Sequence, residues 1–235
     1  MDEDCFGQAG PGSTVPGAGL LCVNLKGVYY FVKIIKRKQL PEFDENLHQE
    51  LVNSGWITLR EPGTLAAAII LSVPFMVANL FISVMSIGVF STISLEEFGF
   101  TPDSFSITID PGVIISLVFV IIFHELLHLM FIPNFMSSTK TYVGLALFGG
   151  FVYTEEEIEK SRFKLITVAP FLIVSIILPI ILGLFGILTS PLKLLILLNA
   201  TASSVDMLSL LFVIMQVPNK AMLKNNGPKT YWKPH

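Results

Sequence analysis

The sequence predicts an all-α integral membrane protein with about four transmembrane helices and a short β-hairpin between the second and third. Of the 235 residues, 52% are hydrophobic and 14% are charged, and the mean hydropathy is +0.70. Soluble domains average about 25% charged residues. Apolar runs long enough to cross a bilayer recur along the chain, and Lys and Arg concentrate between alternate runs, as in multi-pass membrane proteins.

The composition also excludes some classes of partner and site. The formal net charge is -3 and the chain has no basic stripe, so we expect no binding to nucleic acid. Cys5 and Cys22 are the only cysteines, and both lie near the N-terminus. They provide neither a disulfide framework nor a paired-cysteine metal site.

Residues 1–35 are predicted to form an N-terminal extension. Residues 1–19 are rich in Gly, Pro, Ser and acidic residues, a composition that favours disorder. Residues 20–35 are apolar but interrupted by lysines, which predicts an interfacial strand or short helix rather than a span. Downstream, Asp44 is placed to cap an amphipathic surface helix that Gly55 ends, with Trp56 at the level of the lipid headgroups.

A membrane-embedded domain is predicted over residues 36–218, followed by a cytosolic tail over 219–235. The predicted spans are residues 64–90, 111–132, 163–188 and 191–217. The loop over residues 91–110 contains acidic residues but no Lys or Arg, whereas six basic residues precede the first span. Because Lys and Arg favour the cytosolic side, we expect a multi-pass protein of the cell membrane with both termini in the cytosol.

A β-hairpin is predicted between spans two and three, over residues 141–154. Two short apolar runs flank Gly149 and Gly150, a dipeptide that suits a tight turn. Two interpretations remain open. The hairpin either presents an edge to which an extended peptide adds as another strand, or it only seals a membrane-embedded site.

The second span contains the motif His124-Glu125-Leu126-Leu127-His128. Ionisable side chains near a bilayer centre cost about 2.5–3.5 kcal/mol each on insertion scales, so they usually mark function. Residues four apart share one helical face, which allows His124 and His128 to bind one metal ion while Glu125 acts as a general base. We expect one zinc ion per chain. The alternative is a polar patch without a metal.

A third metal ligand is predicted at Asp206. Among the acidic residues, only Glu125 and Asp206 lie well inside the predicted spans, at similar depth. Asn199 and Ser203 share the helical face of Asp206, which makes both candidates for substrate binding. The alternative is that Asp206 only makes a hydrogen bond between helices. His48 and His235 lie outside the spans, and we expect both to be solvated.

The chain resembles a family of bacterial membrane proteins of unknown function described as putative zincin peptidases, which are similar to the site-two protease metalloproteases. The resemblance covers residues 38–218 and is carried by Leu40-Pro41, Gly55-Trp56, Arg60-Glu61-Pro62, His124 to His128, Ala169-Pro170, Asn199, Ser203 and Asp206. It implies an aspartate on a later span as the third ligand. The chain lacks the prolines and glycine that surround this aspartate in site-two proteases.

These features predict a zinc-dependent intramembrane metallopeptidase that hydrolyses peptide bonds of membrane-associated proteins. Glu125 favours hydrolysis because a structural metal site needs no base beside its ligands. The expected partners are membrane lipid and a membrane-protein or peptide substrate. Two alternatives remain, a non-catalytic membrane protein with a structural or transported metal, and a metal-dependent lipid hydrolase.

Overall fold

The computed structural model describes residues 18–25, 28–35, 42–104, 106, 110–146 and 149–234. The helices are α1 (Glu45–Asn53), α2 (Leu65–Gly88), α3 (Pro111–Phe131), α4 (Lys160–Pro170), α5 (Leu178–Leu184), α6 (Ser190–Ala202) and α7 (Ser204–Gln216). The strands are β1 (Ala18–Leu25), β2 (Val28–Ile35), β3 (Ile57–Thr58), β4 (Thr141–Ala146), β5 (Gly149–Thr154), β6 (Ile158–Glu159), β7 (Met222–Asn226) and β8 (Lys229–Lys233). Most of the predicted disordered stretch, residues 1–17, lies outside the described residues.

Four helices of the described chain are long and apolar enough to cross a membrane: Leu65–Gly88, Pro111–Phe131, Lys160–Leu184 and Ser190–Gln216. Their outward faces are apolar, and Phe119, for example, is 69% exposed. A surface of this kind suits contact with lipid tails. The four helices lie close to the spans predicted from hydropathy.

The third and fourth of these helices are interrupted. In the third, a π-helical segment over Phe171–Ile177 separates α4 from α5, and it begins directly after Pro170. Proline cannot donate a helical hydrogen bond, and π-helical turns often occur at functional sites. In the fourth, a turn at Ser203 separates α6 from α7, so that Asp206 lies in the first turn of α7.

The prediction of an all-α fold with one hairpin needs correction, because the strands form two small sheets. One has the order β1-β2-β4-β5 and the other β3-β8-β7-β6. Residues 219–235 were expected to form a tail, but Met222–Asn226 and Lys229–Lys233 pair as a hairpin within the second sheet. Tyr231 of this hairpin is fully buried against Leu51 and Trp56. Burial of these side chains explains why the segment folds against the rest of the protein.

The second sheet brings three separate chain segments to one end of the helix bundle. Its strand β3 precedes α2, β6 precedes α4, and the β7–β8 hairpin follows α7. The segment before the first apolar helix, the connection before the third and the C-terminal segment therefore lie on the same side. This arrangement agrees with the even number of crossings predicted from the basic residues.

Helix α1 forms where the sequence predicts it. The Asp44 side chain accepts hydrogen bonds from the backbone N–H groups of Asn46 and Leu47, and Gly55 has a positive φ of 82° after the helix ends. Trp56, however, is only 8% exposed and packs against the second sheet, which differs from its predicted place among lipid headgroups.

Strands β4 and β5 pair antiparallel from Thr141 opposite Thr154 to Ala146 opposite Gly149. Residues 147 and 148 lie outside the described residues. The sequence predicted a tight turn at Gly149 and Gly150, but both residues belong to β5. Val143 and Val152 of the two strands pack against a cluster that includes Leu129, on α3.

Candidate metal centre

The structure brings together His124, His128 and Asp206 from two of the long helices. The Nε2 atoms of His124 and His128 are 3.2 Å apart. The Oδ2 atom of Asp206 lies 3.4 Å from Nε2 of His124 and 3.6 Å from Nε2 of His128. All three side chains are at least half-buried, and among the described residues they form one group with the spacing of a metal site.

In each imidazole, the hydrogen bond made by Nδ1 shows that this nitrogen carries a proton. Nδ1 of His128 is 2.9 Å from the carbonyl oxygen of Ile166, which can only accept, so this nitrogen donates. Nδ1 of His124 is 2.9 Å from Oδ1 of Asn199. The amide nitrogen of Asn199 donates to the carbonyl oxygen of Pro170, and this contact sets the orientation of the amide, with Oδ1 facing His124. When the imidazoles are neutral, both Nε2 atoms therefore present lone pairs toward Asp206 and each other.

Three electron-pair donors converge at this point, two imidazole nitrogens and one carboxylate oxygen. A proton or a metal ion between them removes the repulsion of their lone pairs. Zinc binds imidazole nitrogen and carboxylate oxygen at about 2.0–2.2 Å in a tetrahedral arrangement, whose corners are about 3.4 Å apart. The measured separations of 3.2 to 3.6 Å match this spacing. The donor set thus fits zinc, with the fourth position open.

Pro170 explains why the carbonyl oxygen of Ile166 can accept a hydrogen bond from His128. In an α-helix, the carbonyl of residue 166 receives the N–H of residue 170, but proline has none. The next N–H, that of Phe171, bonds to Val168 instead. The carbonyl oxygen of Ile166 is thereby left for His128.

Asn199 and Ser203 both make hydrogen bonds within the protein. Asn199 is 3% exposed, and its amide nitrogen also donates to Oγ of Ser175, 2.9 Å away. Ser203 is fully buried and donates to the carbonyl oxygen of Asn199. Asn199 also lines the cavity beside the donors, and its bond to Nδ1 orients His124, as partners of metal-binding histidines commonly do. Substrate binding by Asn199 and Ser203 stays a prediction.

A cavity of about 430 Å³ opens onto the three donors. Glu125 lines it beside the histidines, and Leu117, Val120, Ile121 and Leu198 make much of the remaining wall apolar. Gly150, Phe151 and Val152 of β5 form another side. A second cavity of about 180 Å³ meets His128 and Asp206 from the side of the sheets, and its lining includes Thr154, Thr167, Ser209 and Asn225.

Among the described residues, Glu155, Glu156 and Glu157 are not grouped with the three donors. Ser138 donates to Glu156, and Lys224 lies 3.4 Å from Glu157. Burial raises the pKa of Glu155. Burial also raises the pKa of Tyr153 to about 12, and its hydroxyl accepts a hydrogen bond from the N–H of Gly227. These contacts join the hairpin to the second sheet, away from the three donors.

Part of the chain that includes these residues matches a known protein family. Residues 117–222 match the model of a family described as "Putative zincin peptidase". The match confirms the resemblance inferred from the sequence. The matched region includes both histidines, Glu125 and Asp206. No curated protein and no solved structure matches the chain at a significant level.

Sequence reasoning missed several residues that shape the site. Pro170 was recognised only as part of a resemblance, although a proline four residues after a carbonyl always removes that carbonyl's helical donor. Ser175 carries no sequence signal of its own. His48 was expected to be solvated, but its Nδ1 lies 2.7 Å from the hydroxyl of Tyr231. His235 lies outside the described residues.

Proposed function

We propose that the protein is a zinc-dependent intramembrane metallopeptidase that cleaves membrane-associated proteins or peptides. The observation that supports this most is the convergence of the Nε2 atoms of two imidazoles and the Asp206 carboxylate beside a largely apolar cavity that Glu125 also lines. His124, His128 and Asp206 would hold one zinc ion per chain. Bound there, zinc would polarise a substrate carbonyl and lower the pKa of water.

Glu125 would supply the acid–base chemistry. It immediately follows His124 on α3 and faces the same cavity. Its carboxylate would accept a proton from the attacking water and then deliver that proton to the departing amide nitrogen. The C–N bond of the peptide breaks as the carbonyl carbon gains the water oxygen, so the products are a carboxylate and an amine.

The edge of β5 favours a peptide over a lipid as the substrate. Among the strands that the structure describes, β5 is the last of its sheet and pairs only with β4. The same strand lines the cavity through Gly150, Phe151 and Val152. An extended peptide could hydrogen-bond to this edge and place its backbone beside the three donors. A lipid has no repeating N–H and C=O groups to use such an edge.

The proposal also includes the location and orientation of the protein in a membrane. The four apolar helices would lie in the cell membrane with both termini in the cytosol, because the basic residues lie in the segments that the second sheet joins. A purely structural metal would be enclosed by its ligands. Here a cavity of about 430 Å³ adjoins the donors, which favours catalysis over a structural role.

Glu125→Gln tests the proposed chemistry. Glutamine has nearly the same size but cannot accept a proton at neutral pH, so hydrolysis should fall by about 10²–10⁴ while zinc is retained. Membrane proteins would be quantified in cells with wild type, with Glu125→Gln and without the protein, and zinc would be measured in the purified variant. Proteins that accumulate equally in the variant and in its absence are the expected substrates. If Glu125→Gln cells match the wild type while cells without the protein differ, Glu125 is not the base.

A further inference from the structure

Gly150 of β5 lies directly against the side chain of Glu125. A Cβ atom built on Gly150 would be 2.5 Å from Cγ of Glu125, 3.2 Å from its carboxyl carbon and 3.5 Å from Oε1. Gly150 is not among the glycines with positive φ, so any residue can adopt its backbone conformation. The absence of a side chain, and not backbone freedom, is therefore what this position provides.

The strand that carries Gly150 is held in place and has little room to retreat. Val143 and Val152 pack against a buried cluster that includes Leu129 and Ile132, at the end of α3. At the base of the hairpin, the hydroxyls of Thr141 and Thr154 lie 2.9 Å apart, and both residues are buried. A methyl group at position 150 would therefore displace the flexible Glu125 side chain before it displaced the strand.

The backbone at Gly150 forms a wall against which the aliphatic part of Glu125 lies. Glu125 otherwise has three rotatable side-chain bonds and faces an open cavity. We propose that Gly150 is a positioning residue that limits the rotamers of Glu125 and so sets the direction of its carboxylate relative to His124, His128 and Asp206. This inference rests on the proposed function of Glu125 as the base.

A double-mutant cycle in detergent separates this role from simple hairpin packing. Gly150→Ala should lower the melting temperature by several degrees in the wild type, since its methyl group meets Glu125. In a Glu125→Ala background the clashing atoms are gone, and at least half of that decrease should disappear. If the decrease is the same in both backgrounds, Gly150 only packs the hairpin and the proposal is wrong.

Gly144→Ala is the matched control within the same hairpin. A Cβ at Gly144 would contact the ring of Phe151 and not Glu125. Its effect on the melting temperature should therefore be equal with and without Glu125→Ala. Should Gly150→Ala fail to fold, recovery of folding in the double variant supports the proposal, and failure of the double variant overturns it.

Zinc content and the rate of cleavage in the same variants provide two further tests. Gly150→Ala should retain zinc within about twofold, because no ligand is touched, while cleavage of the proteins that accumulate with Glu125→Gln should slow by about 10–100-fold. Zinc loss, or an unchanged cleavage rate, would overturn the positioning role. If Glu125→Gln itself leaves cleavage intact, the proposed function fails, whereas the thermal coupling still reports the contact between Gly150 and Glu125.

Discussion

His128 donates its Nδ1 proton to the carbonyl oxygen of Ile166 at 2.9 Å, and this carbonyl is free because Pro170 follows it by four residues. A helix irregularity in one long helix thus orients a candidate metal ligand in another. The same proline accepts, through its own carbonyl, the amide of Asn199 that orients His124. Both histidines depend on this one break in the third long helix.

Pro170→Ala should therefore weaken zinc binding. The N–H of the new alanine would compete with His128 for the carbonyl oxygen of Ile166. His128 would then be less well oriented, and we expect zinc affinity to fall about tenfold. Pro74→Ala is the matched control, because Pro74 also lies inside a long helix but is exposed and on α2. Competition with a chelator measures both variants. Equal affinities would show that His128 does not need this acceptor.

Asp206→Ala should lose zinc almost completely, since the carboxylate would contribute one of the three protein donors. Asn199→Ala should cost about 10–100-fold, because Asn199 acts only through His124. Asn79→Ala is the control: Asn79 is also 3% exposed and bonds a backbone carbonyl, that of Ala200.

Zinc per purified chain decides between a ligand and a plain hydrogen bond. An average interhelical hydrogen bond in a membrane is worth about 0.6 kcal/mol, too little to abolish metal binding. Stoichiometric, tightly held zinc in Asp206→Ala, together with loss in His128→Ala, would place the third ligand elsewhere.

At the end of the helix bundle away from the second sheet, the ion pair between Glu97 and Lys193 should make the free energy of unfolding depend on pH. Lys193 is buried, and its Nζ lies 2.8 Å from Oε2 of Glu97 and 2.7 Å from the carbonyl oxygen of Thr92. The hydrogen bond from Lys193 holds the pKa of Glu97 below its usual value. A lowered folded pKa stabilises the protein above the unfolded value of about 4.3, and this contribution is lost as the pH falls through the folded pKa.

Glu97→Gln should consequently lower the melting temperature by a few degrees at pH 7, and the difference from wild type should close as the pH falls below about 4. The neighbouring Glu96 is exposed, so Glu96→Gln serves as the control with little expected effect. Thermal melting in detergent across this pH range gives the comparison. A difference that persists at low pH would mean that Glu97 acts through its shape and not its charge.

Single cysteines test the sidedness of the chain. After replacement of Cys5 and Cys22 by serine, Asp103→Cys should react with an impermeant maleimide in intact cells. Lys140→Cys and Lys233→Cys, both exposed, should react only after the membrane is opened. Reaction of Lys140→Cys and Lys233→Cys from opposite sides would contradict the placement of β6 and β7 in one sheet.

The candidate metal-site residues were predictable because ionisable groups are conspicuous within long apolar runs. His124, Glu125, His128 and Asp206 interrupt apolar runs, and helical spacing places the histidines on one face. Asn199 was recognised as polar and buried in the same way. Its contact with Nδ1 of His124 depends on how the two helices pack, and no local pattern carries that information.

By itself, the sequence determined the four apolar helices, the cap at Asp44 and the identity of the three donors, since these follow from hydropathy, local hydrogen bonding and helical period. Only the tertiary structure decided that the C-terminal segment pairs with β3 and β6, because strand pairing between segments over 60 residues apart along the chain depends on long-range contacts. It also decided that Gly150 lies in β5 against Glu125, and that Pro170 leaves a carbonyl for His128. These contacts arise where two elements meet, and neither element specifies them alone.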